Sequence, residues 1–288
     1  FTDAQLRRWQ PALVGFRRAA PVLQSYPEDL QGKFLPLFAE AAIEGRDFGL
    51  AQKVLETLDA LDAEHVDKPA AALLAARVAE GQGRLEEAFS AFDKLAKSSP
   101  RPTEARAKLH GIALALKDRS IDRVAAIAGL ETLSVSWRGD DIEARTLGLL
   151  GRLYAEEERW RDAFSTARRA NQLFPDNPHT RSLYDDTGSR FETLFLDGKA
   201  ETIPRLDAIS LYFDFKEFTP PGRRGDEMIR RLAERLVELD LLQEAGDLLT
   251  HQVDNRLSGA AKASVATRLA VIHLMNRQPA KAYQTLRE

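Results

Sequence analysis

The sequence predicts an all-α fold, a solenoid of stacked antiparallel helix pairs, and three observations predict it. Long stretches carry apolar residues at three- and four-residue spacing. A short phrase recurs along the chain with small residues in register. Nothing reads as a convincing alternating strand. The 288 residues, 44% hydrophobic and 30% charged, are enough for one large or two ordinary domains with a real core.

Composition removes several function classes. A net charge of −3 gives no electrostatic footprint for nucleic acid. No apolar run approaches the ~20 residues a membrane-spanning helix needs, and no charged-then-apolar leader opens the chain. Phe1 is not an initiator residue, so sequence upstream is expected. The absence of cysteine excludes disulfides, thiolate nucleophiles, and zinc or iron–sulfur sites built on thiolates. A cysteine-free chain is tolerated in the cytoplasm and in an oxidising periplasm alike, so the compartment stays open between them.

Helical spacing is clearest over residues 227–249, where Ile229, Leu232, Ala233, Leu236, Val237 and Leu239 form one stripe. The strand-like exception runs from Ile209 to Phe215, and its setting favours a packed helix or a loop plug. The recurring phrase is Gly83-Arg-Leu-Glu-Glu-Ala88, then Arg159-Trp-Arg-Asp-Ala163, with weaker copies ending at Ala51, Ala245 and Ala282. Twelve residues before each alanine stand Ala76, Gly151, Ala39, Ala233 and Ala270, all small. Two antiparallel helices reach the short end of the ~8–10 Å interaxial range only where small side chains meet, so each pair marks an expected crossing. A single hairpin cannot bury its own apolar faces, so the hairpins must stack.

Residues 143–177 closely resemble a tetratricopeptide repeat, through Leu147, Leu150-Gly151, Tyr154, Ala163, Ala167, Ala170 and Pro175. They depart from the pattern at Leu147, where tryptophan is commonest, and at Ala167, where phenylalanine is usual. Residues 69–102 match through Ala76, Ala88, Phe92 and Pro100. The resemblance implies a right-handed α-α superhelix of about six helix pairs, as in bacterial multi-repeat proteins. Residues 1–31 would form an N-terminal helical segment. Four repeats would follow at 32–68, 69–102, 103–143 and 144–177. An irregular helical and loop insertion would occupy 178–225, with a turn at Asp197-Gly198, and 226–288 would hold two more pairs, the last truncated.

Punctuation fits this division. Asp67, Thr103 and Thr180 read as N-caps, and Pro69 sits just inside a helix start. Asp176-Asn177-Pro178 reads as a turn and Thr219 to Gly225 as the strongest loop, after which Asp226 opens a helix.

Chemistry-bearing constellations are absent. His65, His110, His179, His251 and His273 lie at no metal-ligand spacing, and each reads as a packed or half-exposed side chain. Gly222-Arg-Arg-Gly225 lacks the strand and the Lys-Ser/Thr of a phosphate loop. The acid pairs Asp140-Asp141 and Asp185-Asp186 read as helix-start charges. No catalytic, cofactor or metal site is therefore expected, and the chain reads as a binding scaffold and not as an enzyme.

In the resembled family the first helix of each pair lines a concave groove. Carried over, that register places Arg77, Lys108, Arg145 and Arg152 on adjacent first helices, with Glu80 and Glu104 among them. Such a face would hold a protein or peptide ligand, acidic in character. The lysine–asparagine set of the chaperone-tail clamp is not reproduced. The alternative is a structural or self-associating module of a larger protein. Leu269 and Leu286 give the last pair an apolar character that calls for a neighbour.

Overall fold

The structure, a computed structural model, describes residues 1–287, and no strand occurs among them. It divides into two compact units, Phe1–Thr146 and Leu147 onward. The first unit holds α1 (Thr2–Gln5), α2 (Trp9–Leu23), α3 (Glu28–Glu44), α4 (Phe48–Asp59), α5 (Lys68–Gly81), α6 (Leu85–Ser98), α7 (Arg101–Lys117), α8 (Arg123–Ser136) and the start of α9 (Asp141–Glu156). The second holds the rest of α9, then α10 (Trp160–Leu173), α11 (Pro178–Leu196), α12 (Arg205–Asp214), α13 (Arg223–Glu238), α14 (Leu242–Asn255), α15 (Gly259–Met275) and α16 (Pro279–Arg287).

Consecutive helices pack as pairs, and one backbone feature recurs at the turn between partners. Arg7, Arg46, Glu158, Asp240 and Arg277 all have positive φ, as does Gly83. Each lies five residues before a small buried residue: Ala12, Ala51, Ala163, Ala245, Ala282 and Ala88. A left-handed residue reverses the chain tightly enough for the second helix to start at once and bring its alanine to the crossing. The turn after α7 is the exception. There Arg119 carries the positive φ, and two extra residues push the buried alanine to Ala126, seven positions on. The hairpin α1–α2 obeys the rule through Arg7 and Ala12, so residues 1–31 begin with a helix pair in the same register as the rest.

The small pairs Ala39–Ala51, Ala76–Ala88, Ala233–Ala245 and Ala270–Ala282 are buried throughout. Gly151 is small for a different reason. A Cβ there would meet the Leu183 side chain of α11 at 2.9 Å, so its size serves the seam to the next helix pair.

Several helix starts correct the expectations. Asp67 does cap α5, accepting from Ala70 N at 3.0 Å. Thr103 does not cap α7, which starts two residues earlier after the extended Pro100, leaving Thr103 buried in the first turn. Thr180 does not cap α11 either. Asn177 does, accepting from His179 N at 2.9 Å, while the Thr180 hydroxyl donates back to Asn177 O at 3.0 Å. Helix α13 begins at Arg223, before Asp226, because Gly222 at φ 73° turns the chain early. Asp226 instead accepts from Arg256 Nε at 2.9 Å. Asp185 and Asp186 sit in the middle of α11, not at its start.

Residues 178–225 are mostly helix. The long α11 ends at Leu196, Gly198 at φ 84° turns the chain, and α12 takes in the strand-like aromatic stretch up to Asp214, with Phe215 at its C-cap. The aromatic rings fill the space that a shorter helix leaves. Phe191 lies 5.3 Å from Phe164, 5.8 Å from Tyr212 and 6.1 Å from Phe218, and Phe215 lies 5.4 Å from Phe164. Arg168 of α10 stacks 4.5 Å over the Phe215 ring, so this part of the core is ringed by aromatics and roofed by a guanidinium.

Candidate functional site: the groove of the first unit

The first helices of successive pairs in unit 1 face a common cavity of about 340 Å³. Its floor is apolar, from Leu73 and Leu74 of α5, Leu109 of α7 and Ile142 of α9. Its polar groups come in one-turn pairs. Arg106 and His110 on α7 and Asp141 and Arg145 on α9 are four residues apart, which puts each pair on one helix face. The turn of the first hairpin closes one side through Gln5, Arg7 and Trp9. A second cavity of about 410 Å³ adjoins it, sharing Arg77 and His110 and adding Glu44, Glu80 and Lys117.

The charges form an alternating ladder. Arg7 pairs with Asp141, and Asp141 faces Arg145 Nε at 2.8 Å. Arg145 reaches Glu44 at 3.5 Å. Glu44 then accepts from Arg77 at 2.7 Å, and Arg77 reaches Glu40 at 3.5 Å. Four helices or turns are thereby tied across the groove, and three cations meet three carboxylates. The Arg77 side chain is only 10% exposed, so the inner rungs are shielded from salt more than surface pairs are.

Of the four residues proposed from the sequence, the structure brings together Arg77 and Arg145, which share Glu44. Lys108 does not line the cavity and pairs with Glu104 one turn back on its own helix. Arg152 belongs to the second unit, where its Nε donates to Gly148 O at 3.1 Å. The α7 cation that does face the cavity is Arg106, and among the described residues it has no ion pair or hydrogen bond. A two-residue step on α7 rotates a side chain by about 200°, which separates the faces of Lys108 and Arg106.

His110, which has no ligand partner in sequence and reads as a packed side chain, lines both cavities. Its ring stacks on Phe92 at 5.7 Å and 14°, which fixes its plane. Burial holds its pKa well below the ordinary 6.5, and the charges of Arg77, Arg145 and Arg106 push the same way, so the imidazole is neutral at physiological pH. It makes no hydrogen bond among the described residues. Glu80 shows the converse effect. Burial raises its carboxyl pKa, and Lys117 and Arg77 pull it back only in part.

The second unit has a cavity of about 390 Å³ lined by Tyr212, Phe213, Ile229, Leu248, His251 and Arg256. No group of three or more His, Asp or Glu able to hold a metal occurs among the described residues. No helix among them is long and apolar enough to cross a membrane.

No family model matches the chain, and no curated protein matches it. Solved structures similar to it include three that align over nearly the whole chain. The Cut9–Hcn1 hetero-tetramer of APC/C has a TM-score of 0.43 and 14% identity over 97% of this chain, which spans 49% of that one. The C-terminal part of a TPR repeat-containing protein from Cytophaga hutchinsonii has a TM-score of 0.42 and 13% identity over 99% of this chain and 92% of that one. The apo quorum sensor NprR from B. thuringiensis has a TM-score of 0.42 and 12% identity over 99% and 97%. The chain is an all-α array of consecutive helix pairs, and its own helices and turns define it as such.

Proposed function

We propose that the chain is a protein-interaction scaffold and that the groove of unit 1 receives a segment of a partner protein. One observation carries this reading. The first helices of successive pairs leave two adjoining cavities, the first with an apolar floor, and charges around them are already oriented by the ladder. Preorganised polar groups around an apolar floor lower the ordering cost of binding a peptide or helix. The ladder also changes the expected ligand. Arg77 and Arg145 are neutralised by Glu40, Glu44 and Asp141, so a densely acidic peptide has no broad cationic face to meet. Groove filling with a few placed charges replaces it.

A double change, Ala70→Arg with Arg106→Glu, fills the groove mouth and reverses its free charge, and both positions tolerate it because neither side chain is buried. Partner capture should fall at least tenfold against the parent chain, with the helical circular dichroism unchanged. Undiminished capture by this variant contradicts the groove assignment.

A second reading rests on the last hairpin. Val271, Leu274 and Met275 of α15 and Tyr283 and Leu286 of α16 are each more than half exposed. Apolar side chains exposed together favour self-association or a neighbouring module. Leu274→Lys with Tyr283→Glu should leave a monomer by light scattering where the parent chain self-associates; a parent that is monomeric at high concentration removes this reading.

A further inference from the structure

The mouth of the unit 1 groove carries one exposed cation without a counter-charge, and that imbalance has a chemical consequence. Arg7, Arg77 and Arg145 each pair with a carboxylate, whereas Arg106 pairs with none. One turn along the same face of α7 stands His110, its ring plane fixed by Phe92 and its nitrogens without a hydrogen-bond partner among the described residues. Leu73, Leu109 and Ile142 supply an apolar bed beside them.

We propose that Arg106 and His110 form a subsite for a single carboxylate borne on an apolar body. The guanidinium supplies two parallel N–H donors to the carboxylate, and the imidazole supplies a third donor from the side. The charge balance sets the number of acids: one unmatched cation asks for one negative charge, and a dianion would have to displace Asp141 or Glu44 from the ladder. The cavity of about 340 Å³ limits the apolar body to a few side-chain volumes. The acid can come from a small amphipathic monocarboxylate or from an Asp or Glu flanked by apolar residues in the partner segment. The second source rests on the proposed scaffold function, and the first does not.

Histidine-selective NMR on the full chain separates these outcomes. The probes are hexanoate, its neutral isostere hexanamide, and the capped tripeptides Leu-Asp-Leu and Leu-Asn-Leu. The expected result is a saturable shift of the His110 ring signals with an acidic probe, absent with the matching amide. Arg106→Gln should weaken that binding at least tenfold and Lys108→Gln should leave it unchanged. Arg106 has no partner to lose, so the fold is insensitive to its replacement. A response to hexanoate alone assigns a small-molecule ligand, and a response to the Asp peptide assigns the partner's side chain. Equal shifts with acid and amide, survival of binding in Arg106→Gln, or no shift with any probe at tens of millimolar overturns the subsite. If Ala70→Arg blocks partner capture while Arg106→Gln does not, the groove stands and only the subsite fails.

Discussion

The two units solve the same packing problem with different materials. In unit 1 every hairpin turns on a left-handed residue, three of the four bring a buried alanine to the crossing five residues later, and the first helices are tied together by ion pairs. Unit 2 breaks its period after α11, and Phe164, Phe191, Phe195, Tyr212, Phe215 and Phe218 fill the gap. Small residues at fixed spacing bring backbones together and leave an orderly open face. Large rings absorb irregular volume but close the space they occupy. The groove lined by oriented charge lies in unit 1.

The largest expected effect tests the irregular region. Phe191 is fully buried and touches four other rings, so Phe191→Ala should cost about 3–5 kcal/mol in chemical denaturation. A loss below about 1 kcal/mol would mean that the cluster is not what holds α11 and α12. The regular region should fail in the opposite sense, by overfilling. Ala88 is completely buried at a crossing, and Ala88→Leu should cost about 1–3 kcal/mol by forcing α5 and α6 apart.

Smaller effects probe the turns and the groove. Gly83 at φ 79° has open space around its Cβ position, so Gly83→Ala isolates the backbone term, a loss of about 1 kcal/mol in the same denaturation assay. Arg277→Gly, at φ 56°, should give a gain of similar origin and smaller size. The two raised and lowered groove groups have opposite pH signatures. The His110 pKa is lower folded than unfolded, so its contribution is present above about 6.5 and is lost as pH falls from there toward the folded value. His110→Phe should flatten that acid limb in a stability–pH series. The Glu80 pKa is higher folded than unfolded, so its burial weakens the fold as pH rises above the ordinary carboxylate range. Glu80→Gln should raise stability at pH 7 by under about 1 kcal/mol, the half-buried position limiting the gain.

The regular features were the legible ones. Alanine-to-alanine spacing located α5–α6 and α13–α14, because a crossing demands a small residue whatever surrounds it. The first hairpin was hidden because its signature, Arg7 to Ala12, needs the left-handed turn to be seen. Threonine capping failed at Thr103 and Thr180 because the extended Pro100 and the Asn177 cap started those helices earlier. In the groove, the register carried over from the resemblance names Arg77 and Arg145, which line the cavity, and Lys108, which stands two residues from the lining Arg106. The ladder itself was invisible, since Arg7 and Asp141 are far apart in sequence and Glu44 serves two arginines at once.

The account stands on the unit 1 groove as the binding face, and position-specific photo-crosslinking tests that most directly. A photoreactive residue replaces Arg106, inside the groove, or Lys94, on the exposed face of α6. Crosslinks to one discrete partner from position 106, and none from 94, are predicted. Crosslinking that is equal at both positions, or confined to 94, would contradict it.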